Sequence, residues 1–475
     1  MRRADGARWP HVGRGSRQLP AVGCPLAAVT CMTPPRVRHR LIIGHPSESM
    51  VLFVNANGVP RLPSFVSDDR HTADVDYIND AAHEQLRLHT TVLRSHWHSE
   101  ARDGVVDRVH ELVVHGPLPT GLAWCRRDAA SSCLPDDVDA IARWLAAPHE
   151  VIDGAGWMRP GWFAEASGWV HRTLHDVTDI VQVRSWMSSC VLRVQTAASG
   201  SYYFKAVADS GRVECEMTAY LAQHFPHIVA RVVATEPGRR WWLMEALPGT
   251  SLENISEAVT WEEAAAAYGR LQAACVPRVV DLRLLGCQTR TLDAISDGIG
   301  LLASDAGALR PGAPDGLTSV EASRFRSIVN ALRERCAALA ALDVPLTLEH
   351  GDLWPSNFLV ADNAFALIDW EDVAVGHPFV SLAPFLAGLG MSQPGLHSRE
   401  LVDRIERAYL TGFAGEAPSA LLRQALRLAT PLAFVDLALR YRRQRSSAVR
   451  LHPWMAELVP QAVRLALNAL EDDAS

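Results

Sequence analysis

Between residues 348 and 370 the chain reads Leu348-Glu349-His350-Gly351-Asp352-Leu353-Trp354-Pro355-Ser356-Asn357, then Ala366-Leu367-Ile368-Asp369-Trp370. Apolar stretches at 357–360 and 365–368 flank a turn at Asp362, so a loop is predicted to lead into a β-hairpin. That hairpin sets Asp352 and Asn357 on one loop and Asp369 just beyond the second strand. Phosphoryl transfer needs this donor set: one carboxylate to orient an acceptor hydroxyl, and hard oxygen ligands for Mg²⁺ bridging phosphates. A polar turn or a helix cap accounts for one such group but not for three at these spacings.

Basic residues point to a second position. The chain has 45 arginines and a single lysine, Lys205, in Ser201-Tyr202-Tyr203-Phe204-Lys205-Ala206-Val207. Where arginine serves everywhere else, the one ammonium marks a place that a forked guanidinium does not suit. The segment reads as an aromatic-rich strand, and a helix is predicted after it over 213–223. That helix offers two carboxylates, Glu214 and Glu216, about 200° apart, so only one can face the lysine.

The His-Gly-Asp segment resembles the catalytic loop of the aminoglycoside phosphotransferase and choline kinase-like superfamily, which shares the protein-kinase fold; the resemblance covers about residues 160–470. It implies an α+β, bilobal fold: a small sheet-rich lobe over 160–249 and a large helical lobe over 250–470, holding ATP between them. It further implies that Asp352 is the catalytic base, that Asn357 and Asp369 bind Mg²⁺, and that Lys205 contacts the nucleotide phosphates while pairing with Glu214. Ser188 and Ser189 lie where the family places its nucleotide loop, and the backbone from Glu245 to Leu247 where it places the hinge that reads adenine. Gly200, in Ala198-Ser199-Gly200, reads as a hairpin glycine. Two departures stand out. Trp354 and Ser356 replace the family's His and Gly on the loop, and Ser381 replaces an aspartate that usually braces it.

In front of this part, residues 1–38 are Arg-rich, nearly free of acids, and read as an unstructured leader, with Met32 a candidate start. Strands are expected at 41–44, 50–54, 90–97 and 105–115, helices at 73–89 and 136–147, and a turn at Asn57-Gly58, before a linker over 148–160. The order over 39–150 is similar to a small α/β Nudix hydrolase domain. Against the glutamate-rich helix of that family the chain offers Asp80, Ala81, Glu84, Gln85 and Arg87, so the domain is expected to be degenerate and inactive. His96 and His98 read as one solvated strand face rather than a metal pair, and Arg440, Arg442, Arg443, Arg445 and Arg450 as a solvated helix face.

A net charge of −7 gives no basic field for nucleic acid, and no apolar run is long enough to span a membrane. Nine scattered cysteines without zinc spacing fit a reducing cytoplasm. The expectation is an ATP- and Mg²⁺-dependent phosphotransferase acting on a hydroxyl of a small molecule. A catalytically silent nucleotide binder and a Nudix-type pyrophosphatase are the competing readings, disfavoured by the joint presence of Lys205, Asp352, Asn357 and Asp369 and by the missing glutamates. Eleven arginines against six acids over 385–470 argue against polycationic acceptors of the aminoglycoside kind.

Overall fold

The computed structural model describes residues 36–68, 70–100, 105–134, 137–146, 155–197, 200–208, 213–362, 364–451 and 453–474. The leader through residue 35, with Met32, lies outside them, as do Ala198 and Ser199 and most of the linker. Strands β1 (Arg36–Gly44), β2 (Met50–Ala56), β3 (Val59–Arg61) and β4 (Ser64–Asp68) precede helix α1 (Asp76–Leu86). Then come β5 (His89–Glu100), β6 (Val106–His115), β7 (Ala123–Arg126), α2 (Ala130–Cys133) and α3 (Val138–Ala146). The seven strands form one mixed sheet in which β1 runs parallel to β6. Both faces of β1 are covered: Leu41 and Ile43 pack with Val75, Ile78 and Ala82 around α1, while Ile42 packs with Ala130, Ile141 and Trp144.

Asn57 and Gly58 both take positive φ, +56° and +86°, as a tight turn between β2 and β3 requires. Two readings need correction. β1 starts at Arg36, inside the segment read as leader, because Val37 is buried and the strand pairs with both β4 and β6. The β5–β6 register shifts between His96 and His98, so the two-residue alternation behind a shared histidine face is broken there; their side chains lie outside the described residues. Asp80 and Glu84 are exposed on α1.

The next unit runs α4 (Trp162–Thr173), β8 (Val177–Ser185), β9 (Ser189–Thr196), β10 (Gly200–Val207), α5 (Glu214–His224), β11 (Val232–Glu236) and β12 (Trp241–Glu245). Its five strands lie antiparallel in the order β11-β12-β10-β9-β8. Trp162 and Trp169 of α4 stack edge-on against Phe204 and Trp241, closing the back face of the sheet. Successive strand residues point to opposite faces, so burying Phe204 behind the sheet turns Lys205 to the front.

The remaining chain supplies β13 (Thr250–Ser251), α6 (Ala258–Cys275), α7 (Val279–Leu284), β14 (Gln288–Arg290), α8 (Leu292–Ser304), α9 (Ala306–Leu309), α10 (Ser319–Ser327) and α11 (Val329–Ala340). The short strands β15 (Thr347–Glu349), β16 (Phe358–Ala361), β17 (Ala364–Leu367) and β18 (Ala374–Gly376) follow. Helices α12 (Leu382–Ser392), α13 (Arg399–Leu410), α14 (Ser419–Leu451) and α15 (Leu458–Ala474) complete the lobe. The architecture is thus a sheet-rich lobe followed by a large helical lobe, the bilobal α+β arrangement expected. Gly249, at φ +127°, lets the chain between the lobes cross directly over the Val360 backbone. α6 is the central helix, with Trp261, Tyr268 and Leu271 in the main core.

At Gly269 a Cβ would overlap the Tyr409 carbonyl oxygen, so α6 and α13 approach backbone to backbone. Gly269→Ala is expected to destabilise the helical lobe by about 1–3 kcal/mol, as overpacking does. Gly395, with open space around it, is the control: Gly395→Ala should leave the denaturation midpoint near wild type.

Candidate active site

Lys205 reaches out of β10 into the space between the lobes and is only 6% exposed. Its Nζ donates to Glu214 Oε1 at 2.6 Å and to Asp369 Oδ1 at 2.7 Å. The geometry chooses between the two glutamates. α5 begins at Glu214, which is buried and turned to the lysine, whereas Glu216 makes no such pair. Burial alone would depress the ammonium, but Asp369 and Glu214 hold its pKa above the usual lysine value. Likewise, burial would raise the Asp369 carboxyl, but Lys205 holds it below the usual carboxylate range. Asp369 sits at φ +66°, a conformation that few aspartates adopt, fixed here by its place after β17 and by the lysine.

The loop carrying Asp352 is built around the hairpin β16–β17. Asn357 Nδ2 donates to the Asp352 carbonyl at 2.8 Å and to its Oδ2 at 3.2 Å, joining the two residues side by side. Asn357 Oδ1 is buried and, among the described residues, has no hydrogen-bond partner. An orphaned amide oxygen and a carboxylate are the kind of hard oxygen donors that a Mg²⁺ ion takes. Glu214, Asp369 and Glu371 also bring carboxylate oxygens within 4.8 Å of one another, the one such cluster among the described residues. The His350 ring crosses the loop: Nε2 donates to the Ile368 carbonyl at 3.0 Å, and Nδ1 accepts the Asp352 N–H at 3.3 Å. Burial pushes that imidazole down to about 4, so it works as a neutral strut. Gly351, at φ +81°, leaves no room for a Cβ against the Asp372 carbonyl. Burial, then Asp372, pushes the Asp352 carboxyl up to about 7.

The departures at Trp354 and Ser381 both have structural explanations. Trp354 is 1% exposed and packs with Pro355 against Gly388 of α12, so a buried indole anchors the loop. Ser381 donates to the Glu349 carboxylate and accepts from the Tyr268 hydroxyl at 3.0 Å. Tyr268 in turn accepts the His350 N–H at 3.0 Å, and Gln272 Nε2 donates to Glu349 Oε1 at 3.1 Å. The carboxylate missing at 381 is therefore supplied from 349, on β15. Burial drives Glu349 well above the usual carboxylate range, against the pull of Ser381 and Arg290.

The arginine run divides differently from the solvated face expected. Arg440 is buried, its Nε 3.1 Å from Asp436 Oδ2 and its Nη1 3.4 Å from Asp372 Oδ2, because this turn of α14 packs behind the Asp352 loop. Arg442 pairs with Asp305 at 2.8 Å, Arg443 is exposed, and the side chains of Arg445 and Arg450 lie outside the described residues. With Arg440 and Asp436 set aside as a pair, ten arginines and five acids remain over 385–470. Arg290, whose Nη2 donates to the Asp372 carbonyl at 2.6 Å, is a further part of the site. Nothing in its local sequence marked it, nor Tyr268 and Gln272. Asp372 lay in view as the last acid of Asp369-Trp370-Glu371-Asp372.

The nucleotide-loop candidates Ser188 and Ser189 occupy the β8–β9 turn, where the Ser188 carbonyl accepts the Ala208 N–H and the Ser189 carbonyl the Trp186 N–H, both at 2.8 Å. Glu245 ends β12 in an ion pair with Arg231, and Leu247 follows Ala246, whose N–H is taken by the Ser201 carbonyl at 2.9 Å. Trp186 and Met187, just before Ser188, pack against the core of the helical lobe.

Ser381→Ala should cost about 1–3 kcal/mol, by taking away the Ser381 partner of buried Glu349 Oε2 and of the Tyr268 O–H. Ser381→Asp should cost at least as much, since two buried carboxyls would face each other, and added Glu349→Gln should recover stability; denaturation midpoints read all three. Lys205→Arg should lose about 1.5–3 kcal/mol of positioned contact, or roughly ten- to hundredfold in nucleotide affinity or rate, because the fork does not fit between Glu214 and Asp369.

No curated protein sequence matches the chain. Among solved structures it is similar to a choline kinase from Cryptosporidium parvum Iowa II, 16% identical, covering 64% of this chain and 92% of the other, with a TM-score of 0.46. A choline/ethanolamine kinase family protein from Mesorhizobium loti is 16% identical, with coverage of 65% and 95% and a TM-score of 0.45. A macrolide 2′-phosphotransferase from Brachybacterium faecium is 19% identical, with coverage of 61% and 97% and a TM-score of 0.41. The model of the phosphotransferase enzyme family matches residues 179–422, more than half of the chain, and this stretch holds Lys205, Glu214, Asp352, Asn357 and Asp369; the chain belongs to that family.

Proposed function

We propose that this phosphotransferase moves the γ-phosphoryl group of ATP to a hydroxyl of a small molecule, with Mg²⁺ as cofactor. One observation carries the reading: the Lys205–Glu214–Asp369 ion triad stands beside a buried loop that joins Asp352 to Asn357. In this reading Lys205 holds phosphate oxygens, and the backbone at Glu245 and Leu247, with the β8–β9 turn at Ser188 and Ser189, holds the rest of the nucleotide. Asn357 Oδ1 and the Asp369 carboxylate would hold Mg²⁺, which when bound neutralises charge developing on the phosphates. Asp352 accepts the proton of the acceptor hydroxyl and orients its oxygen. No helix of the described residues is long and apolar enough to cross a membrane. The folded first unit, with its exposed Asp80 and Glu84, supports no diphosphate hydrolysis of its own.

Asp352→Asn is expected to abolish phosphotransfer to hydroxylated metabolites while leaving ATP·Mg²⁺ affinity within a fewfold of wild type. Asp369→Ala should instead weaken that affinity, since a ligand of the metal and the partner of Lys205 go together. Wild-type turnover in the Asp352 variant would refute the base assignment, and a thermal shift with ATP and Mg²⁺ separates binding from chemistry.

The raised Asp352 carboxyl gives a pH dependence of definite sign. The base acts ionised, so kcat/KM should climb about tenfold per pH unit up to about 7 and level off above it. A flat profile from pH 5.5 to 8.5 would show that this carboxyl is not the titrating group.

A further inference from the structure

The first unit is joined to the sheet-rich lobe along β8, the edge strand nearest the nucleotide loop. The Val75 N–H donates to the Val183 carbonyl at 3.0 Å and the Ser185 N–H to the Ala73 carbonyl at 2.8 Å, so residues 73–75 run antiparallel beside β8. Gln182, 2% exposed, fixes the register: its Oε1 accepts the Val92 N–H at 2.7 Å and its Nε2 donates to the Val92 carbonyl at 3.0 Å. Directly opposed residues of such a bridge share a face of the sheet. Here they are Asp74 and Arg184, with Oδ1 and Nε 3.8 Å apart and side chains 20% and 13% exposed.

The strand register then places Arg184. It pairs across to Val191, Val191 to Lys205, and Lys205 to Trp242. Cross-strand partners point the same way, so Arg184 and Lys205 emerge on the front face about 10 Å apart, one strand between them. The Arg184 charge is felt at Asp369, whose carboxyl it helps to hold down. Around Lys205 the described carboxylates outnumber the cation, with Glu214, Asp369 and Glu371 close together. A nucleoside triphosphate carries several more negative charges into that space, and one lysine already spent on two carboxylates does not balance them.

We propose that Arg184 is a second phosphate-binding cation of the nucleotide site, held for that task by Asp74 of the first unit. The inference rests on the reading of this site as a nucleotide site. The ion pair engages Nε, at the base of the fork, on the sheet face that Lys205 shares, so a polyphosphate lying beneath Val191 would meet a cation on either side. The first unit thereby becomes a working part of the phosphotransferase. Its strand β5 also touches α14, so the same unit meets both lobes.

The test uses the full chain and calorimetric titration with ATP·Mg²⁺, and with AMP as a nucleotide that lacks the outer phosphates. Arg184→Gln should weaken ATP·Mg²⁺ binding about tenfold or more, with AMP affinity changed less than about twofold. Arg184→Lys should fall between. Asp74→Asn should weaken ATP·Mg²⁺ binding about three- to tenfold, and adding it to Arg184→Gln should bring no further loss. Wild-type ATP affinity in Arg184→Gln, or equal loss of ATP and AMP, overturns the proposal, as does an Asp74 effect that persists without the arginine. A wild-type chain that binds no nucleotide overturns the parent reading itself, an outcome distinct from all of these.

Discussion

One ammonium ties the site together. Lys205 leaves the sheet of the small lobe, Glu214 begins the helix packed beside it, and Asp369 ends a hairpin of the helical lobe, yet a single Nζ lies within 2.7 Å of both carboxylates. Three elements from both sides of the cleft are thus held to one point. Placing those charges in a space almost closed to water is costly unless each is matched, so the triad tolerates little displacement of either lobe. The unusual backbone of Asp369 persists because its surroundings leave it no alternative.

Behind the triad the Asp352 loop is held by buried polar groups as well as by the ion pair of Arg440 with Asp372. Tyr268 and Gln272 stand one turn apart on α6 and face the same way, one receiving the His350 N–H and the other donating to Glu349. Tyr409 of α13 donates to Gln272 Oε1 at 2.5 Å, carrying the network into the next helix. The close backbone approach at Gly269 brings those two helices near enough for these bonds to form. Packing of the helical core and positioning of Asp352 are therefore one problem, solved by the same residues.

The front of the site is arranged by contacts from the first unit. His71 lies 5.6 Å from the Trp186 ring, Ala73 receives the Ser185 N–H, and Asp74 faces Arg184. Three consecutive positions at the end of β8 and the start of the β8–β9 turn are set by a segment more than a hundred residues earlier in the chain. The unit in front of the phosphotransferase has a physical role in such contacts.

Asp352, Asn357, Asp369 and Lys205 could be picked out from the order of residues alone, because short-range spacing sets them: a loop, a hairpin, and one ammonium among arginines. The two-lobe layout was legible for the same reason, since strand and helix periodicities are local properties of a chain. The choice of Glu214 over Glu216 was open to helix geometry and closed only by where α5 begins and which side of it is buried. Arg440 looked like one of a solvated run, yet it is buried between Asp436 and Asp372, and Ser381 looked like a lost brace until Glu349 was found beside it. Arg184 became visible only when a strand register aligned it with Lys205. The longest of these pairings, Arg440 with Asp372, joins residues 68 positions apart. Which charge meets which is decided there by the burial that folding imposes, and no local pattern encodes a partner that only packing brings near.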